Sequence, residues 1–218
     1  MSVLDPSQYA VYLILDNPSR YAGDFLENID KACSGGVTLV QYRDKESDGR
    51  RLYERCKRVR ELLRARGVPL CVNNLPGLAL AVDAEAVHVG QDDMPPEAVR
   101  YVVGRRMDIG WSVRTLAEAQ AVDRAVIDAV GIGPVYDARR TKEDAADALG
   151  LDGLRSIVEV CTGLATVAIG GVTVERAEGI YRTGVGGVSA VSAFSKSADP
   201  AFVARAFAAA RERARLVR

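Results

Sequence analysis

The chain has 218 residues and a mass of 23.4 kDa, with 29 Lys+Arg set against 29 Asp+Glu and 48 % apolar residues. So much apolar surface without net charge excludes a disordered chain, and the charge balance excludes the basic footprint of a general nucleic-acid binder. The length suits one large domain or two small ones, burying about 70 % of the extended surface on folding.

Short apolar runs alternate with amphipathic Arg/Glu/Ala-rich segments along the whole chain. The first predicted strand covers 11–15 (VYLIL), followed by a helix over about 24–33. A second strand at 37–41 (VTLVQ) leads into a long helix over about 48–66, closed by Gly67 and Pro69 in the order expected at a helix end. The third strand is 70–73 with a short helix at 76–82. The fourth is 86–89, with a helix opening near Pro95. A fifth strand at 107–111 precedes a helix at 115–123, begun by a capping-box pattern from Thr115 to Glu118. The sixth strand is 129–132 with its helix at about 151–160, and the seventh is 165–169 with a helix at 173–181. The eighth is 187–191, and a closing helix covers 199–215.

Eight strand–helix units with no linker between them predict a single-domain (β/α)8 TIM barrel with a core over about 11–210. Continuously apolar strands agree, since a parallel sheet is covered on both faces. Cys33, Cys56, Cys71 and Cys161 are widely spaced without a C-x-x-C pair, so buried free thiols in a reducing cytoplasm are expected. The polar first eight residues do not resemble a signal peptide, and no apolar run approaches the ~18 residues of a membrane span.

Active sites in such barrels lie at the C-terminal strand ends, and polar residues gather there. The second strand ends in Gln41, Arg43 and Lys45, alternate side chains that can share one direction; two cations at a strand end suit a phosphate or diphosphate, although the motif also reads as a charged turn. The third ends in Asn73-Asn74, by itself a turn signal. The fourth ends in His88-Val-Gly-Gln91-Asp92-Asp93, whose carboxylates suit either Mg²⁺ or helix capping. His88 is the only histidine, so no second histidine is available for a dyad. Ser112 follows the fifth strand as a hydrogen-bonding group rather than a nucleophile. Arg139, Arg140, Thr141 and Lys142 form a basic loop after the sixth, readable as an exposed loop or a lid over an anion. Gly170-Gly171 after the seventh strand and Val191-Ser192 after the eighth fit the recurrent phosphate site of these barrels. One diphosphate-bearing and one phosphate-bearing reactant are the expected ligands.

Taken in order, GGVTLVQYRDK (35–45), VHVGQDDMP (87–95), GPVY (133–136) with Thr141-Lys142, AIGGVT (168–173) and GVSAVSA (187–193) resemble the thiamine phosphate synthase family, over about 12–207. The resemblance implies a transferase of thiamine biosynthesis that joins hydroxymethylpyrimidine diphosphate to a thiazole phosphate and releases diphosphate, with Mg²⁺ as cofactor. It implies that Gln41 meets the pyrimidine and that Arg43, Lys45, Asn73, Ser112 and Lys142 bind the diphosphate. It further assigns Asp93 to Mg²⁺, and Thr141, Gly171, Val191 and Ser192 to the thiazole phosphate. In the family the diphosphate departs early and the thiazole nitrogen captures the resulting pyrimidine-methyl cation, so charge neutralisation and positioning carry the catalysis.

Three positions depart from the family pattern. Asn74 stands where an Asp is usual as second Mg²⁺ ligand, and its amide oxygen brings no charge. Ser112-Val113-Arg114 replaces Ser-Thr-His, and the segment Asp137-Ala138-Arg139-Arg140 makes its loop one residue longer. A related thiazole tautomerase is an alternative, weakened because Arg114 is too basic to shuttle protons. A non-catalytic phosphate-binding barrel is another. Small molecules, not nucleic acid or membrane, are the expected partners, with room for a homo-oligomer.

Overall fold

The computed structural model describes residues 2–21, 23–136 and 147–216. Its strands are β1 (Val11–Ile14), β2 (Leu39–Tyr42), β3 (Leu70–Asn73), β4 (Ala86–Val89), β5 (Asp108–Val113), β6 (Ala129–Ile132), β7 (Ala165–Ala168) and β8 (Gly187–Ala190). All pair in parallel with their sequence neighbours, and β8 returns to β1 through Val11↔Val188, Tyr12↔Ser189 and Leu13↔Ala190. The result is the closed (β/α)8 barrel expected from the alternation. The helices are α1 (Phe25–Ser34), α2 (Gly49–Arg66), α3 (Pro76–Ala81), α4 (Pro96–Val103), α5 (Leu116–Gln120), α6 (Gly150–Val160), α7 (Val174–Tyr181), α8 (Ser192–Ser195) and α9 (Pro200–Arg215).

Period-2 alternation sorts the strand residues into two apolar layers. Val40, Tyr42, Val72, Val87, Val89 and Ile109 face the helices in the large outer core, while Tyr12, Ile14, Leu39, Cys71, Ala86 and Val167 fill the barrel interior. The helices start where local chemistry lets them: Asp24 and Asp199 accept from the backbone N–H of Glu27 and Phe202, each at 2.9 Å. Gly67 ends α2 in the left-handed region at φ 65°. The predicted capping box at α5 is only half formed. Thr115 accepts from Glu118 N at 3.1 Å, but the Glu118 carboxylate accepts from Arg114 N at 2.5 Å instead of from Thr115.

The polar N-terminal segment closes the floor of the barrel. Asp108, buried at the start of β5, accepts from Ser2 Oγ at 2.5 Å, Val3 N at 2.6 Å, Leu4 N at 3.2 Å and Tyr9 Oη at 2.9 Å. A buried carboxylate is tolerable only when so satisfied. The four cysteines are free and buried, as expected. Among the described residues no helix is long and apolar enough to cross a membrane.

Candidate active site

The C-terminal ends of the strands surround a cavity of about 1090 Å³ that reaches down to Tyr9 and Tyr12. Gln41, Arg43, Lys45, Asn73, Asn74, Asp93, Ser112, Gly171, Val191 and Ser192 all line it. These are all the candidate site residues that lie in the described part of the chain. The expectations for Arg139, Arg140, Thr141 and Lys142 fall outside the described residues. Five basic residues (Arg20, Arg43, Lys45, Arg114 and Lys196) line the cavity against three acidic ones (Asp16, Asp92 and Asp93). Arg20 is committed to Asp16 at 3.0 Å, whereas no carboxylate among the described residues pairs with Arg43 or Lys45. A neutral chain thus presents surplus positive charge to the cavity.

The alternation along β2 explains the first group. Leu39, Gln41 and Arg43 fall on the interior side, and Gln41, only 3 % exposed, donates through Nε2 to Tyr12 Oη at 2.8 Å. Sequence reading missed Tyr12, because nothing local marks an interior tyrosine 29 residues away on the neighbouring strand β1. It also missed Asp44, which anchors the loop carrying the two cations. The Asp44 carboxylate accepts from Glu46 N (3.0 Å), Ser47 N (2.9 Å), Tyr42 Oη (3.2 Å) and Arg55 Nη1 (2.6 Å). Burial pushes this carboxyl up, but those donors, led by the Ser47 and Glu46 backbone, outweigh burial and hold it down at about 2.

Asp44→Ala is therefore expected to cost roughly 1–3 kcal/mol of stability through the orphaned donors. Turnover should also fall, although Asp44 itself does not line the cavity. Urea unfolding and steady-state kinetics check both, and normal values in both would remove the anchoring role. Because the folded value lies below the unfolded one, the anchor's contribution is complete above about 4 and lost as pH falls toward 2.

On the next strands, Asn73 and Asn74 end β3. Asn74 sits in the left-handed region at φ 61°, which asparagine and aspartate tolerate better than most residues. Its Nδ2 donates to Asp93 Oδ1 at 2.5 Å, and Gly90 N donates to Asp93 Oδ2 at 2.7 Å. No group of three His, Cys, Asp or Glu able to hold a metal occurs among the described residues. Ser112 lies within β5, not beyond its end, and is held at two atoms. Gln91 Nε2 donates to its carbonyl at 2.6 Å, and His88 Nε2 is 3.0 Å from its Oγ. Burial pushes His88 down to about 4, against the attraction of the Asp93 carboxylate, so its ring is neutral near pH 7.

Glycine at 170 and 171 has a packing reason beside the one the phosphate motif suggests. Both residues have positive φ, 94° and 64°. A Cβ at Gly170 would lie 2.6 Å from Pro134 Cα, and one at Gly171 would lie 2.6 Å from Tyr136 Cβ. The loop after β7 is thus pressed against the segment after β6, with Val135 N and Tyr136 N donating to Ile169 O and Gly170 O at 2.9 and 3.1 Å. Arg176 stacks over Tyr136 at 4.3 Å and donates to Gly171 O at 2.8 Å. The α8 turn, absent from the sequence reading, carries Ser192 at the cavity edge.

Comparison with known proteins extends the picture. A family model described as thiamine monophosphate synthase matches residues 11–194. The thiamine-phosphate synthase of Desulfitobacterium hafniense is 41 % identical over 90 % of this chain and 94 % of its own length. That of Azorhizobium caulinodans is 40 % identical over 92 % and 93 %. Among solved structures, the thiamine phosphate pyrophosphorylase of Pyrococcus furiosus superposes with a TM-score of 0.86 at 32 % identity, covering 96 % of this chain and 98 % of that one. A 3-hexulose-6-phosphate synthase at 19 % identity and TM-score 0.66 shares the fold alone.

Proposed function

Because this chain belongs to the thiamine monophosphate synthase family, and with it to the transferases of thiamine biosynthesis, we propose that its cavity couples hydroxymethylpyrimidine diphosphate with a thiazole phosphate, giving thiamine phosphate and diphosphate. The observation that carries the reading is the convergence of ten separately placed residues, from six of the strand ends and the α8 turn, on one cavity. The relatives named above are synthases, which favours this reaction over tautomerisation.

In this reading Arg43, Lys45, Asn73, Ser112 and Lys142 would hold the diphosphate, with charge-assisted hydrogen bonds to its oxygens. Gln41, fixed by Tyr12, would meet the pyrimidine at the depth of the barrel. Thr141, Gly171, Val191 and Ser192 would surround the thiazole phosphate. The two rings are then held together while the leaving group is neutralised, without any nucleophile or general base. The four free thiols suit a reducing compartment such as the cytoplasm.

The donor set fits Mg²⁺, which takes one or two carboxylates and completes its shell with substrate phosphates and water. Asp93 would offer the carboxylate, and Asn74, whose Nδ2 donates to it in this structure, would offer its oxygen as a second ligand once the amide turns. When bound, the ion would add positive charge against the departing diphosphate. Asn74→Asp is expected to lower the Mg²⁺ concentration for half-maximal rate several-fold. It should also destabilise the metal-free protein, since two carboxylates then face each other, and Mg²⁺ should restore the melting temperature. An unchanged Mg²⁺ titration together with an unchanged melting temperature would remove Asn74 from the metal shell.

The overall reading is tested by incubating the protein with both substrates and Mg²⁺ and following thiamine phosphate and diphosphate together. Release of diphosphate without coupled product would sink it, as would no turnover at all.

A further inference from the structure

The histidine in β4 has no place in the reaction described so far, yet the barrel is shaped around it. Its imidazole lies on the interior side of β4 and lines the cavity. The two strands that follow give up their side chains at the same level. A Cβ on Gly110 of β5 would lie 2.5 Å from His88 Nδ1, and one on Gly131 of β6 would lie 3.1 Å from His88 Cε1. The ring therefore occupies a slot that only glycines leave open, and within it Nε2 reaches Ser112 Oγ at 3.0 Å. A phenylalanine or leucine would fill the same space without a desolvation cost. Packing alone does not call for a polar ring there.

We propose that His88 is a positioning residue for the transfer reaction: its Nε2–H donates to Ser112 Oγ, so that the serine hydroxyl keeps its own proton for the departing diphosphate. A hydroxyl has one proton to give and two lone pairs to receive with. If the histidine accepted instead, the serine proton would be spent on the ring and its oxygen would turn lone pairs toward an anion. With the proton on Nε2, the hydroxyl becomes a relay whose donor side faces the cavity. The Gln91 bond to the Ser112 carbonyl fixes the backbone, and His88 fixes the rotor, leaving one orientation. The inference rests on the assignment of Ser112 to the diphosphate.

The test compares Ser112→Ala, His88→Leu, His88→Gln, Gly110→Ala and the Ser112→Ala/His88→Leu double variant. The readouts are kcat, KM for the thiazole phosphate, and the affinity for inorganic diphosphate with Mg²⁺ by calorimetry. Ser112→Ala and His88→Leu are each expected to weaken diphosphate binding and lower kcat by roughly 10- to 150-fold, the range of one hydrogen bond to a charged group. KM for the thiazole phosphate should not move. The double variant should be no worse than the worse single one, because both remove the same contact. His88→Gln, which keeps an N–H donor, should recover part of the loss. Gly110→Ala, which pushes the ring while keeping both partners, should reproduce it. Wild-type diphosphate affinity in His88→Leu, or multiplied losses in the double variant, would overturn the proposal while leaving the Ser112 assignment standing. Wild-type behaviour of Ser112→Ala would instead overturn that assignment, and the relay with it.

Discussion

Replacing Lys45 by alanine is expected to lower turnover roughly 10²–10³-fold, the loss typical of removing one preorganised charge contact from a transition state, with the fold unchanged. Arg43→Ala should do the same. Most of the arginines near the barrel are already committed. Arg60 holds Glu85 at 2.6 Å, Arg100 holds Asp128 at 2.5 Å, and Arg55 holds Asp44 at 2.6 Å. Arg43 and Lys45 line the cavity with no carboxylate partner among the described residues, and the loop that carries them is pinned by Asp44. In the proposed reading the diphosphate gains charge as its bond to carbon breaks, so the two cations would act most strongly on that step. The loss should fall on kcat, with KM for the thiazole phosphate within a few-fold of wild type. Steady-state kinetics on folded variants decide it: normal kcat in both would place the diphosphate elsewhere.

Gly187→Ala is expected to be the most damaging small substitution outside the cavity, costing roughly 3 kcal/mol or more. Its Cβ would stand 1.8 Å from the carbonyl oxygen of Tyr9 and 3.1 Å from that of Ala10. Both are backbone atoms just ahead of or at the start of β1, so no side-chain rotation relieves the clash. The neighbouring bond from Val188 N to Ala10 O, 3.0 Å, belongs to the seam that closes the barrel. To admit a methyl group, β8 must move off β1, and the open sheet would expose two unpaired edges. Gly49→Ala is the control, since a Cβ there meets nothing within 4 Å and alanine is the better helix former. Urea unfolding should show a large drop for the first and none for the second. Equal midpoints would mean that the seam absorbs a side chain, against the geometry.

The limits of sequence reading follow from what pattern encodes. β3, β4 and β6 coincide with the predicted 70–73, 86–89 and 129–132, because runs of apolar residues between turn signals mark buried parallel strands directly. β5 continues through Ser112 to Val113, past the predicted 107–111: its polar serine faces the cavity and so does not end the strand. The α8 turn was missed because four residues are too few to show a helical period. Glycines 170 and 171 were legible as special, but their packing role, the pressing together of the β6 and β7 loops, depends on which loops become neighbours.

What the sequence determined by itself was the number of strand–helix units, the side chains that share a face along each strand, and the motifs that name the family. Those are local properties, set by periods of 2 and 3.6 and by turn chemistry within a few residues. Only the tertiary structure decided which cations lack a carboxylate partner among the described residues. It paired Tyr12 with Gln41 and His88 with Ser112, and it showed that Gly110 and Gly131 leave room for the His88 ring of β4. Each of these depends on register and closure around the barrel, which bring residues far apart in the chain to one level, and no local pattern records that distance.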